Sequence, residues 1–341
     1  MARRTIIEIA ERVGVSPATV SRALNNLPGV SADKRHRILA VAAELDYHPN
    51  AIARRLQGRR TNTVAYAVSV RDRPSADLFF FKDFITALAE RCAHYGLDLL
   101  LHPVMMHATT MEGISKIVRS GRADGLILTD IRHGDQRVRY LAEHQLPFVA
   151  FGRSNLELDH SYVDVDGEWG VYTATGHLIQ CGHRRIAFLG LPVEYSCAIH
   201  RRDGYLRALR AHGLACDLAL VAEGLTNETD VRAAMERLLV SPAAPTAFVA
   251  ASDMLAIHAM NVADRHGLRA GRDYAIVGFD DLPLAAHTNP PLTTVRQPLD
   301  RVCDELITLL TRLLSAKGGV RHTILRPELI VRESSALEVR E

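Results

Sequence analysis

From Thr63 onward the chain alternates short apolar runs with amphipathic stretches, and this alternation restricts the fold more than any other feature. Strands read at 63–70, 97–102, 125–129, 147–151, 162–165, 185–190, 246–250 and 274–278. Helical patterns lie between them, near 81–95, 110–120, 135–144, 168–180, 200–212, 228–240 and 252–266. Several end at a glycine (Gly96, Gly182, Gly213, Gly267), the residue that most readily turns left-handed past a helix. Parallel strands need crossover connections, so strand–helix alternation builds doubly wound parallel sheets. The elements are too many for one sheet. The expected core is therefore α/β with two lobes, and neither a short internal repeat nor a low-complexity tract interrupts it.

The first 60 residues follow a helical period only. Thr5 and Glu8 have the T-x-x-E spacing of a capping box. Ile6, Ile9, Ala10 and Val13 then form one apolar face, and Gly14 ends the helix. Ser16 and Pro17 restart a helix as cap and first-turn residue, with Val20, Ala23 and Leu24 inward. Pro28-Gly29 breaks it. Ser31 caps a third helix, whose stripe is Ile38, Val41, Ala42 and Leu45. Two short helices on a tight glycine turn, braced by a third, make a helix-turn-helix bundle. The outer face of the second helix presents Ser16, Ala18, Thr19, Ser21 and Arg22, with no long acidic residue. Such a face can enter a major groove, contact phosphates through hydroxyls and read a base edge through arginine.

Charge separates the same two parts. The net charge of +2 averages a head with 11 Lys/Arg against 5 Asp/Glu over residues 1–60, and a remainder with 30 against 34. A basic head on a mildly acidic body is expected where one module meets a polyanion and the other does not. Arg3, Arg4, Lys34, Arg35, Arg37, Arg54, Arg55, Arg59 and Arg60 bracket the second helix, as phosphate neutralisation requires. No apolar run approaches the roughly 20 residues of a membrane helix. Glu8, Glu11 and Arg12 interrupt the start, so no signal peptide is read and the cytosol is expected. Five scattered cysteines (92, 181, 197, 216, 303), without a C-x-x-C pair, argue for a reducing compartment and against a zinc site or disulfide frame. The 16 histidines lack ligand spacing, and no G-x-S-x-G, P-loop, H-E-x-x-H or G-x-G-x-x-G run occurs. No catalytic residue, metal or cofactor is expected.

The residues resemble a known family. Thr5-Ile6-Ile7-Glu8-Ile9-Ala10, Gly14-Val15-Ser16-Pro17-Ala18-Thr19-Val20-Ser21-Arg22-Ala23-Leu24-Asn25, Gly29-Val30-Ser31 and Tyr47-His48-Pro49-Asn50-Ala51-Ile52-Ala53-Arg54-Arg55-Leu56 are similar to the head of lactose/galactose-type (LacI/GalR family) repressors. The likeness continues in Gly182-His183-Arg184-Arg185-Ile186, Arg201-Arg202-Asp203-Gly204-Tyr205, Ser252-Asp253-Met254-Leu255-Ala256, Val277-Gly278-Phe279-Asp280-Asp281, Pro290–Pro298 and Pro327–Ser334. The resemblance implies a DNA-binding head on a periplasmic-binding-protein-like core, whose two lobes are joined by three crossings. It divides the chain into a head at 1–49, a hinge helix and linker at 50–61, and a core at 62–341. Lobe 1 is expected at about 62–163 and 296–325, lobe 2 at about 164–292 and 326–341.

The same resemblance assigns roles. Pro17, Ala18 and Arg22 face bases, with Arg22 carrying most of the hydrogen-bonded readout; Thr5, Ser16, Thr19, Ser21, Asn25 and Ser31 complete the DNA-contacting set. Asn50, Ala53 and Leu56 belong to a hinge helix that folds in the DNA-bound dimer and inserts Leu56 into the minor groove, a wedge repaid by the surface that kinked DNA contacts. In the core, Arg201 and Asp280 are expected to face each other across a cleft and bind a polyhydroxylated effector. Arg153, Asp164, Asp77 and, lining the cleft, Ser252 are further effector-binding candidates, and each charged one has a plain surface or interlobe ion pair as its alternative. Ser252 stands where Asn is usual, Gly152 where Asp is common, Gly167 where Asn is common, and Leu225 at about the place of an aromatic. The implied function is a repressor of a carbohydrate-utilisation operon, released from a palindromic operator by a saccharide. Alternatives are a non-sugar effector, a co-repressor, or a ligand-binding protein without a DNA role. With no leucine heptad before Glu341, a homodimer is expected, with no membrane partner.

Overall fold

A computed structural model describes residues 5–24, 27–47, 60–69, 78–104, 110–315 and 318–336. Asn25, Asn50, Ala53, Leu56 and Asp77 lie outside the described residues. Packing divides the chain into two units, Met1–Thr61 and Asn62–Glu341.

The head is α1 (Ile6–Val13), α2 (Pro17–Leu24) and α3 (Ala32–Glu44). Ile9, Ala10, Val20, Ala23, Ile38, Ala42 and Leu45 form its core, one cluster shared by three helices that could not each bury a face alone. Gly14, at φ +72°, returns its N–H to the Ala10 carbonyl and ends α1. The capping-box expectation fails. Neither the Thr5 nor the Ser31 hydroxyl caps its helix; backbone carbonyls do this instead, Thr5 O accepting from Glu8 N and Ser31 O from Arg35 N.

The second unit holds two six-stranded sheets. The first contains β1 (Thr63–Ser69), β2 (Asp98–Val104), β3 (Gly125–Leu128), β4 (Phe148–Phe151), β5 (Tyr162–Val165) and β11 (His322–Leu325), in the order β11-β5-β4-β3-β1-β2 and parallel throughout. The second contains β6 (Ile186–Leu189), β7 (Val221–Ala222), β8 (Ala247–Ala250), β9 (Ala275–Asp280), β10 (Thr293–Arg296) and β12 (Glu328–Ile330). Its order is β12-β10-β9-β8-β6-β7, with only β12 antiparallel. Central strands such as Gly125–Leu128 and Ala247–Ala250 are buried at every position, as helices on both faces require. Those helices are α4 (Leu78–His94), α5 (Thr110–Arg119), α6 (Gln136–Glu143), α7 (Gly167–Gln180), α8 (Ser196–Ala211), α9 (Glu228–Leu239), α10 (Asp253–Arg265) and α11 (Leu299–Leu314).

The chain passes between sheets after β5, after β10 and after β11. Two boundaries move. The strand that ends lobe 1 runs on to Val165, paired with β4 and β11, and Arg296 pairs with Asp280 and Glu328 in the second sheet rather than belonging to lobe 1. The alternation pattern also names nothing beyond 278, whereas α11, β10, β11 and β12 lie there. Helices α7 and α8 pack so closely that a Cβ at Gly204 would strike the Glu168 carbonyl.

Candidate functional site

In the head, Ser16, Pro17, Ala18 and Arg22 are exposed on one side of α2, with Thr19 and Ser21 half-buried beside them. The Ser16 hydroxyl accepts from the Thr19 N–H at 3.2 Å and lies 2.9 Å from the Thr19 hydroxyl, fixing the start of the helix. Arg35 departs from its expected place among the phosphate-facing charges. Its guanidinium donates to the Ala23 carbonyl at 2.9 Å and the Leu27 carbonyl at 2.7 Å, holding the end of α2 against α3. Arg22 makes no such bond among the described residues, and a Cβ on Gly29 would lie 3.7 Å from its Nη1.

In the second unit a cleft opens between the lobes at the carboxyl ends of their strands, where doubly wound sheets place ligands. It encloses about 820 Å³, counting the solvent at its mouth. Phe80, Phe81, Phe151 and Phe279 give it aromatic walls, with Phe80 and Phe151 stacked at 6.3 Å. Two ion pairs give it polarity.

The first pair belongs to the second lobe. Arg201 rises from α8, and Asp280 ends β9. Arg201 Nη2 lies 3.6 Å from Asp280 Oδ1, its Nη1 donates to the Ala251 carbonyl, and its guanidinium stacks 3.8 Å above the Phe279 ring. Among the described residues, the buried Arg201 Nε has no hydrogen-bond partner. The two residues therefore do not face each other across the cleft as expected: the lobe that carries α8 also carries β9. Gln297, on the second crossing, donates to Asp280 Oδ1 at 2.7 Å. Burial pushes the Asp280 carboxyl up to about 6, against the pull of Arg201 and Gln297. Beneath it the fully buried Asp253 is raised well above the ordinary range by burial and by the Asp280 charge. The bare Gly278 makes room for Asp253, since a Cβ there would strike its Oδ1. Asp280 and Asp281 stand at φ +120° and +54°, a strained exit from β9 held by Arg296 and Arg332, each 2.6 Å from the Asp281 carboxylate.

The second pair belongs to the first lobe. Arg153, after β4, donates from Nε to Asp164 Oδ2 at 2.8 Å, and the Val165 N–H donates to Oδ1 at 2.9 Å. Burial again lifts Asp164, to about 6, with Arg153 opposing. His200 of α8 reaches across with Nδ1 4.0 Å from Asp164; burial first and Arg153 second hold its pKa down to about 4. Ser252 does not line the cleft. Its hydroxyl accepts from the Leu255 N–H at 3.3 Å and caps α10, so its role is structural.

The lobes also touch by main chain beside the cleft. Ser196 N–H donates to the Ile131 carbonyl and His133 N–H to the Glu194 carbonyl, both at 2.9 Å, so Arg132 and Tyr195 pair as an antiparallel bridge. The loop on the lobe 1 side is set by the buried Asp135–Arg137 pair at 2.7 Å. Among the described residues there is no cluster of His, Cys, Asp or Glu suited to a metal ion. No helix among them is long and apolar enough to cross a membrane.

Family models match both units: the lacI family of bacterial regulatory proteins over residues 5–50, and a periplasmic binding protein-like domain over 175–335. The HTH-type transcriptional regulator AglR of Rhizobium meliloti (strain 1021) is 33% identical over 333 residues, 96% of this chain and 93% of its own. The chain belongs to the lacI family. It is a DNA-binding transcriptional regulator, not an enzyme. A solved CelR–cellobiose complex is 32% identical to this LacI-family regulator, with a TM-score of 0.73, covering 97% of this chain and 100% of that one. The lac repressor dimer bound to operator and the anti-inducer ONPF has a TM-score of 0.84 at 25% identity, covering 97% and 99%.

Sequence reasoning overlooked several residues that line this regulator's cleft. Gln297 stood inside a quoted motif, next to Pro298, and was legible as a polar residue at a crossing. His200 adjoins Arg201. Thr129, Asp130, Tyr195 and the phenylalanine walls carried no signal beyond lying just past strand ends or on an apolar helix face.

Proposed function

We propose that this regulator is a homodimeric cytoplasmic repressor of carbohydrate-utilisation genes, released from a near-palindromic operator when a sugar enters the interlobe cleft. One observation carries the reading: two carboxylate–guanidinium pairs, Arg201–Asp280 buried and Arg153–Asp164 half-buried at its arginine, open onto the same aromatic-walled cleft. Planar polar groups that form paired hydrogen bonds suit neighbouring hydroxyls, and phenyl faces suit the C–H face of a sugar ring. The CelR–cellobiose complex, similar over nearly the whole chain, supports it.

On the DNA side, Arg22 reads a base edge while Pro17 and Ala18 offer apolar contact. Thr5, Ser16, Thr19, Ser21, Asn25 and Ser31 contact the backbone, and Asn50, Ala53 and Leu56 form the hinge wedge, all by family resemblance. Arg201, Asp280, Arg153 and Asp164 hold the effector, and Asp77 stays a candidate on resemblance alone. Effector binding shifts a population of lobe arrangements, so it must bind the released form more tightly by the factor it shifts.

The test pairs two measurements on the full-length protein. Binding to fragments of its own upstream region is followed by fluorescence anisotropy, and a thermal-shift screen of sugars finds the ligand. The expected result is a hit that weakens operator binding and whose effect Arg201→Ala abolishes. A hit that strengthens DNA binding makes it a co-repressor. An Arg201→Ala variant with full response refutes the cleft assignment.

A further inference from the structure

We infer that Asp253 and Thr294 are positioning residues of the cleft: from behind β9 they hold the main chain at Asp281 and Leu282, and so aim the Asp280 carboxyl group at the effector. This rests on the reading of the cleft as the effector site, and it names residues that serve the site without touching its contents.

The backbone creates the need. Asp280, at φ +120°, and Asp281, at φ +54°, occupy a region that residues with a side chain hold only where their surroundings impose it. The turn sets Asp280 Oδ1 3.6 Å from Arg201 Nη2 and 2.7 Å from Gln297 Nε2. A turn relaxed into extended backbone would carry the side chain away from both. Asp253 imposes the conformation. Its Oδ2 accepts from the Leu282 N–H at 2.7 Å, and its Oδ1 accepts from the Thr294 hydroxyl. That hydroxyl in turn accepts from the Asp281 N–H at 3.3 Å. One carboxylate thereby orders the two main-chain donors that follow Asp280, one directly and one through a hydroxyl whose single proton it orients.

Both of these bonds lead away from α10, the helix that Asp253 begins; Ser252 caps that helix by accepting from the Leu255 N–H. Asp253 is wholly buried behind the wall that Asp280 lines. Strand β10 backs the same turn with three residues. Its parallel register sets Thr294 beside Gly278 and Arg296 beside Asp280. Thr294 holds the Asp281 N–H, Arg296 holds the Asp281 carboxylate at 2.6 Å, and Gln297 reaches Asp280 from the crossing that follows. Gly278 leaves the space for this arrangement, since a Cβ there would strike Asp253 Oδ1. A carboxylate buried beneath a second carboxylate works against both burial and charge, so packing alone does not account for it.

The experiment compares the full-length protein with Thr294→Val, Thr294→Ser and Asp253→Asn, first without sugar. Valine keeps the shape of threonine and loses the hydroxyl; serine keeps the hydroxyl and loses a methyl. Hydrogen–deuterium exchange of peptides spanning 279–285 should quicken by about tenfold or more in Thr294→Val and Asp253→Asn, and stay within about twofold of wild type in Thr294→Ser. Calorimetry with the mono- and disaccharides of the thermal-shift screen should then show binding weakened by about tenfold in Thr294→Val and by less than about twofold in Thr294→Ser. Operator affinity without sugar should be unchanged in both. Should Asp253→Asn not fold, the two Thr294 variants decide. The reverse order, with Thr294→Ser impaired and Thr294→Val intact, assigns Thr294 to packing and overturns the inference, as does wild-type exchange in Thr294→Val. If no saccharide binds the wild type, the effector-cleft reading fails, while exchange in the two Thr294 variants still upholds or overturns the hold on Asp281 and Leu282.

Discussion

The Asp164→Asn exchange tests the electrostatics of the cleft without a ligand. Asp164 is buried with two hydrogen bonds, yet its pKa rises from 3.8 to about 6 because burial outweighs Arg153. The folded protein thus holds this proton more tightly than the unfolded chain does. Its stabilising contribution is complete below about pH 4 and is lost as the pH rises through about 6. At about 1.36 kcal/mol per unit the whole swing approaches about 3 kcal/mol, and about 1.4 kcal/mol of it falls between about pH 5 and about pH 8. Asparagine does not titrate. It keeps an acceptor toward Val165 but turns an amide toward Arg153, a mismatch of about 1–3 kcal/mol that is the same at every pH. His200 stays neutral across the window, since its pKa is near 4. Comparing wild type and variant by urea unfolding at the two pH values therefore isolates the buried charge. The variant should gain about 1.4 kcal/mol on the wild type between about pH 5 and about pH 8. A difference that stays flat refutes burial of Asp164 as an ion.

Ser196 is the first residue of α8, where proline is tolerated, so Ser196→Pro removes little beyond the N–H donated to Ile131. Effector affinity should fall about two- to tenfold by calorimetry while the melting temperature of the free protein barely moves. Gly204→Ala should lower thermal stability by about 1–3 kcal/mol or more through the Glu168 carbonyl. Gly113→Ala, in a helix with nothing within 4 Å of the new methyl, should raise it by up to about 1 kcal/mol. Arg22→Ala should cost about 1–3 kcal/mol of operator discrimination with unchanged head stability. Arg35→Ala should instead loosen the head and weaken operator and non-operator DNA alike; the reverse pattern in anisotropy titrations would contradict the assignment of these two arginines.

Much of this was legible in the residues. The period of Ile6–Val13 and Val20–Leu24, with Gly14 between, marks the head, because a two-turn helix shows its buried face in its spacing. Val302, Cys303, Leu306, Ile307 and Leu310 of α11 show the same spacing and were equally readable. Strands β10 and β11 were not: Thr293–Arg296 and His322–Leu325 are short and polar, and only their partners make them strands. Arg201, Asp280, Arg153 and Asp164 were all named from sequence, but their pairing was not. The expected bounds of lobe 2 already hold both Arg201 and Asp280, at odds with a pairing across the cleft; that α8 sets Arg201 beside the end of β9 is a property of the packing, which no local pattern encodes. Arg35 misled for a related reason, since its charge is visible in the sequence and the Ala23 and Leu27 carbonyls it serves are not.

Strand order has an energetic consequence. Each ion pair lies within one lobe, Arg153–Asp164 in the first and Arg201–Asp280 in the second. Separating a buried pair would leave a bare charge and cost about 3–5 kcal/mol. Opening the cleft separates neither. The polar contacts that bridge the lobes among the described residues are weaker: the two main-chain bonds of the Arg132–Tyr195 bridge, which water can replace, the Arg132 guanidinium 5.4 Å over the Tyr195 ring, and the 4.0 Å approach of a neutral His200 to Asp164. Open and closed arrangements can then differ by only a few kcal/mol, the range in which a ligand with modest differential affinity shifts a population. Had Arg201 and Asp280 faced each other across the cleft, closure would have been locked by a salt bridge, and a ligand would have had to break it before it could act. Intralobe pairing keeps each carboxylate beside its guanidinium whether the lobes are together or apart, so a ligand that bridges the two pairs would supply the difference between the states.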